Sequence, residues 1–122
     1  MKTADLIGPT LDWAVAKCEK IEVKTSKQLG YTYDPTQPPS LWFSSNGHDM
    51  WTPSTDWSQG GPIIEREGID VLNETKERNV WASLITGHPH VVAEGPTPLV
   101  AAMRAYVASK LGDEVDIPKE LQ

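Results

Sequence analysis

The stretch VWASLITGHPHVVAEGPTPLVAAMRAYVASKLG, residues 80–112, decides the fold class. Its first six residues alternate apolar positions around Trp81 and Ser83, the period of a strand with one buried face. Thr86-Gly87-His88-Pro89 reads as a turn, and residues 90–93 read as a partner strand, giving an antiparallel hairpin. Gly95-Pro96-Thr97-Pro98 then opens a helix, with Thr97 as its N-cap and Pro98 at the first helical position. Leu99, Val100, Met103, Tyr106, Val107 and Leu111 form one broad apolar face, and four alanines add helix propensity. Gly112 ends the helix, with Lys110 in the last turn, where a cation suits the dipole.

The same punctuation recurs upstream. Gly8-Pro9 starts a helix whose Leu11, Ala14, Val15 and Cys18 fall at i, i+3, i+4 and i+7. Ile21 and Val23 alternate with Glu22 and Lys24 as a short strand. Residues 28–49 carry Asp34-Pro35 and Pro38-Pro39, which forbid regular structure locally. Tyr31, Tyr33, Trp42 and Phe43 hold this span to the rest of the chain, so it reads as a long loop with one or two short strands. Between Trp51 and Glu67 lies WTPSTDWSQGGPIIERE. Pro62 argues against one continuous helix there. The segment therefore reads as two short pieces, 55–59 and 62–67, with a kink at Gly60-Gly61. Together these elements predict an α+β fold, an antiparallel sheet covered by helices. Residues 1–112 form one domain in this reading, and 113–122 an acidic, loosely ordered tail.

The 122 residues suffice for a core without metal or disulfide. A net charge of −6 and a pI near 4.9 exclude non-specific binding to duplex nucleic acid or an anionic membrane. The acids are interleaved with lysines, which argues against nucleic-acid mimicry. One cysteine permits no internal disulfide and suits a reduced compartment. No signal-peptide pattern and no membrane-length apolar run is seen, so a cytoplasmic location is expected.

Three blocks, LDWAVAKCE, PSTDWSQGGPIIERE and GPTPLVAAMRAYVASKLGDEV, resemble the NinX-like family of small proteins of lambdoid and related phages. The middle and last blocks are also similar to phage ABA-sandwich domains, in which a Pro-Ser-Thr-Asp segment precedes a helix. That likeness implies helices on both faces of an antiparallel sheet. The resemblance brings no activity and no catalytic residues; it implies a phage accessory protein in a bacterial cytoplasm.

The residues show no catalytic signature: no nucleophile elbow, no phosphate-binding loop, no His-Glu-x-x-His and no Cys-x-x-Cys. Cys18 lies on an apolar stripe and reads as a structural thiol. His88 and His90 lack a third ligand, so neither a metal nor any cofactor is expected. A binding reading is stronger. Helix N-termini after Gly-Pro favour anions. Trp51 and Trp57 are suited to stack on a base or ring. Ser54, Thr55, Asp56 and the Gly60-Gly61 backbone offer short polar contacts, and Thr97 caps a further N-terminus. Arg66 and Arg104 are candidate phosphate ligands. Each residue taken singly also reads as core or cap. The expected function is a non-enzymatic, homo-oligomeric binding protein that sequesters a small nucleotide-like molecule, perturbing a host defence. The alternative is a protein–protein module that inhibits or adapts a host protein, with the aromatic loop 31–43 as its anchor.

Overall fold

The computed structural model describes residues 1–45, 47–75, 80–85 and 91–122. Three helices and five strands follow one another: α1 (Pro9–Glu19), β1 (Val23–Thr25), β2 (Leu41–Phe43), α2 (Trp57–Glu67), β3 (Asp70–Thr75), β4 (Val80–Ile85), β5 (Val91–Gly95) and α3 (Pro98–Leu111). Short 3-10 turns at Thr3–Asp5 and Lys119–Leu121 flank them. β1 and β2 pair antiparallel, Lys24 opposite Trp42. The larger sheet is antiparallel in the order β3-β4-β5, with Ser83 opposite both Val71 and Ala93. The fold is α+β, as the hairpin-then-helix pattern predicts.

α3 is the centre of the molecule. It lies along one face of β4 and β5, while α1 and α2 pack on it from elsewhere. Leu99, Val100, Met103, Tyr106 and Val107 are buried as expected, but so are Ala101, Ala102 and Ala105. A helix apolar on nearly all sides is a helix surrounded by protein. Its alanines therefore set packing distances as well as helix propensity. Thr97 Oγ1 accepts from the Val100 amide at 3.1 Å, so the cap forms where the sequence places it. β5 meets the start of α3 so closely that a Cβ on Gly95 would fall 2.7 Å from the Ala101 nitrogen. Only glycine permits that approach.

Four expectations change. First, the segment after Trp51 holds one continuous helix, not two pieces with a kink: α2 runs through Gly60 and Gly61 with Pro62 inside it. Pro62 has no N–H to give the Ser58 carbonyl, so one helical bond is forfeited. Gly61 before it has no Cβ to clash with the proline ring, which removes the usual restriction on that position. Second, β3 fills a span left without a predicted element. Its Val71 turns inward, but Leu72 interrupts the alternation from the outer face, where it is 57% exposed. Third, the helices cover one face of the large sheet, where the sandwich likeness implied both. Val92, on the outward side of β5, is 61% exposed. Fourth, the acidic tail is not loose. The Met1 and Val115 main chains bond reciprocally, at 2.9 Å each way, and Lys2 bridges to Glu114. Val115, Ile117 and Leu121 are buried in the common core.

The loop through residues 28–49 contains one strand, β2, paired with β1. Trp42 Nε1 donates to Ser26 Oγ at 3.2 Å, and Tyr31 packs edge-on against Trp42 at 5.0 Å. The Tyr31 hydroxyl donates to the Gly47 carbonyl. Aromatic contacts thus replace regular structure in holding this loop down.

Candidate functional site

The tryptophan segment is built around Asp12, in the first turns of α1. The Trp51 indole N–H donates to the Asp12 carbonyl at 2.8 Å, and its ring meets Phe43 edge-on at 5.3 Å. The Ser54 amide donates to the Asp12 carboxylate, also at 2.8 Å. Trp51, Ser54 and Asp12 are all buried. Burial pushes the Asp12 carboxyl up to about 6, against the pull of the Ser54 hydroxyl and amide beside it. The Ser54 hydroxyl nevertheless makes no hydrogen bond of good geometry. Gly60 presses on this loop: a Cβ there would lie 2.4 Å from the Pro53 oxygen and 2.6 Å from Leu99 Cδ2.

The neighbouring residues diverge. Asp56 caps α2, accepting from the Ser58 amide at 2.9 Å and its hydroxyl at 2.7 Å. Those bonds, the hydroxyl's first, hold its carboxyl below the usual range. Thr55 is exposed; its amide donates to the Thr52 carbonyl at 3.1 Å and its hydroxyl reaches the same oxygen at 3.5 Å. Trp57 projects into solvent, and Gly61 lies beside its ring on the same helix. Trp51 and Trp57 therefore do not form a stacking pair, because one is core and the other is outside it.

Arg66 is committed elsewhere. Its guanidinium binds Glu19 through two bonds, at 3.0 and 2.6 Å, and donates to the Tyr106 hydroxyl at 3.2 Å. This cluster joins the three helices, with Glu67 and Lys110 extending it. Arg66 hydrogen bonds, more than Tyr106, hold Glu19 below the ordinary carboxylate range. Burial and then Glu19 push the nearby Cys18 thiol up to about 12. Such a thiol is protonated at neutral pH and makes a poor nucleophile.

A cleft of about 810 Å³ opens on another side. It is walled by residues 2–4, by β5 and Pro96, by Arg104 and Ala108 of α3, and by residues 113–114. Arg104 is the one expected ligand-binding residue among them. Its Nε donates to the Leu6 carbonyl at 2.8 Å and its Nη1 to the Glu94 carbonyl at 2.9 Å. It therefore ties the N-terminal segment to the sheet margin. Burial lowers its pKa, and Asp5 nearby opposes that shift. Thr97 lies just beyond the cleft with its hydroxyl already used as a cap.

Sequence reasoning missed the cleft because its walls come from both ends of the chain. The acidic pair Asp113-Glu114 was visible, but nothing local shows that it meets Lys2. Among the described residues no group of three metal-ligating side chains is found, and no helix is long and apolar enough to cross a membrane. His88 and His90 lie outside the described residues.

Over residues 2–110 the chain matches the family described as Bacteriophage P22, NinX. The protein belongs to the phage NinX family. The match extends from the first cleft wall to the last turn of α3, so the helix junction and most of the cleft lie within it. No curated protein matches the chain. This NinX-family chain is thus a phage accessory protein, and its β5 cleft lies apart from the tryptophan segment.

Proposed function

We propose that this NinX-family protein is a non-enzymatic binding protein of the infected cell's cytoplasm that engages another protein through the β5 cleft. The carrying observation is the cleft of about 810 Å³ along the outer margin of an antiparallel sheet. Strand margins present unpaired main-chain groups, which recognise extended polypeptide. The aromatic loop is a weaker anchor, because Trp42 is half-buried and bonded to Ser26.

Sequestration of a small nucleotide-like molecule, as a counter to host defence, receives less support. Its stacking pair is split between core and solvent, and Arg66 is bound by Glu19. The volume of the cleft would admit such a ligand.

The test replaces Val92, exposed on the cleft wall, with photoreactive p-benzoylphenylalanine. Irradiation of phage-infected cells is expected to give a discrete covalent protein adduct, absent with the same group at exposed Lys27. Mass spectrometry of molecules released from the purified protein by heat runs alongside. A released nucleotide, with no protein adduct at Val92, would replace this reading with the sequestration one.

A further inference from the structure

The Arg104 bond fixes how β5 presents its free margin. Among the described residues β5 has a strand neighbour on one side only, β4. The Glu94 carbonyl is taken by Arg104 from outside the sheet. In an antiparallel strand the main-chain groups two residues apart point the same way. The Val92 N–H and C=O therefore also project off the outer margin, into the cleft that Val92 lines. Arg104 takes the Glu94 carbonyl and leaves the Val92 groups beside the cleft of about 810 Å³.

The charge around this margin is unbalanced. Glu94, Asp113 and Glu114 line the cleft and, among the described residues, none of them is in an ion pair. Lys2 and Arg104 stand against them, so acidic groups outnumber basic ones by three to two. Arg104 spends its guanidinium on two carbonyls and has Asp5 beside it. The side-chain faces are also fixed. Val92 and Glu94 share the exposed face of β5, while Ala93 turns toward α3.

We infer that the cleft takes an extended, basic segment of a partner protein, added beside β5 as a fourth strand, with Lys or Arg at alternate positions facing Glu94. This rests on the proposal that the cleft binds protein. Alternation follows from the strand period of two, and opposite charges on facing strands stabilise the pair. Two observations converge on the same occupant: the open main-chain groups at Val92 call for an extended chain, and the unpaired carboxylates call for cationic side chains.

The test uses two capped pentapeptides, acetyl-Lys-Val-Lys-Val-Lys-amide and acetyl-Glu-Val-Glu-Val-Glu-amide, titrated into the intact protein at low salt. Amide hydrogen exchange is followed by NMR. The lysine peptide is expected to slow exchange at the Val92 amide at least tenfold and to bind at least tenfold tighter than the glutamate peptide. Glu94→Lys should reverse that preference, and methylating the lysine peptide's alternate amides should abolish binding in one register only. Equal binding of both peptides, no binding of either, or binding without Val92 protection would each overturn the inference. A protein adduct at the Val92 photocrosslinker would then leave the broader reading standing, with only the partner's chemistry wrong. Absence of both would end both.

Discussion

Two tryptophans six residues apart, Trp51 and Trp57, have opposite fates. Trp51 is 5% exposed and its N–H is matched to the Asp12 carbonyl; Trp57 is 55% exposed and serves as the first residue of α2. A similar contrast separates the two larger regions. The 51–67 segment is rich in chemically striking residue types, yet its polar groups are largely consumed by one another and by Asp12. The β5 margin is made of plain residues, yet it borders the cleft and, among the described residues, its carboxylates are in no ion pair. Residue chemistry alone does not mark a site; what counts is which groups the fold leaves unspent.

The largest test of this contrast is Trp51→Ala. Removing a buried aromatic costs ~3–5 kcal/mol, and here the Asp12 carbonyl loses its donor as well. Urea denaturation should show a loss of that size, a large part of the ~5–15 kcal/mol typical of a domain. A loss under ~1 kcal/mol would mean that Trp51 is not core.

Next in size is the titration of Asp12. Its folded-state pKa, about 6, lies above the ordinary 3.8. The folded state then holds the proton more tightly than the unfolded state. Stability contributed by this group is present below pH 4 and is lost as pH rises toward 6. The shift corresponds to roughly 3 kcal/mol. Asp12→Asn keeps an acceptor for the Ser54 amide and offers a donor toward the partnerless Ser54 hydroxyl. Relative to the natural chain, it should gain stability between pH 4 and pH 7 by up to that amount. Measuring both proteins at each pH cancels the opposite, lowered shifts of Glu19 and Asp56. A constant difference across the range would remove Asp12 from the comparison.

The smallest expected effect is the most discriminating. Trp57→Ala should change stability by no more than ~0.5 kcal/mol, as surface substitutions do. A much larger loss would show that Trp57 is packed and that the contrast between the two tryptophans fails.

Much of the fold was legible. The Gly8-Pro9 helix start, the Thr97 cap, the Gly112 stop and the β4–β5 pairing all follow from local rules about φ, missing donors and strand period. Local rules also misled. Pro62 marked a break that Gly61 relieved, and Leu72 hid β3 because the outer face of the sheet carries an apolar residue. The candidate site was less legible still. Of the residues expected to bind, Arg104 lines the cleft, with its guanidinium on two main-chain carbonyls.

By itself the sequence determined the α+β class, the start of α1, both ends of α3, the β4–β5 pairing, and a family membership over residues 2–110. These depend on neighbours within a few positions, where sterics and hydrogen-bond supply act directly. Only the tertiary structure decided which tryptophan is core, that Arg66 belongs to Glu19, and that the two chain ends meet to wall a cleft. Those outcomes depend on contacts between residues 39 to 114 apart along the chain, such as Trp51 with Asp12, Arg66 with Glu19 and Met1 with Val115. No local pattern encodes such pairings, because each is set by where the packed core places both partners.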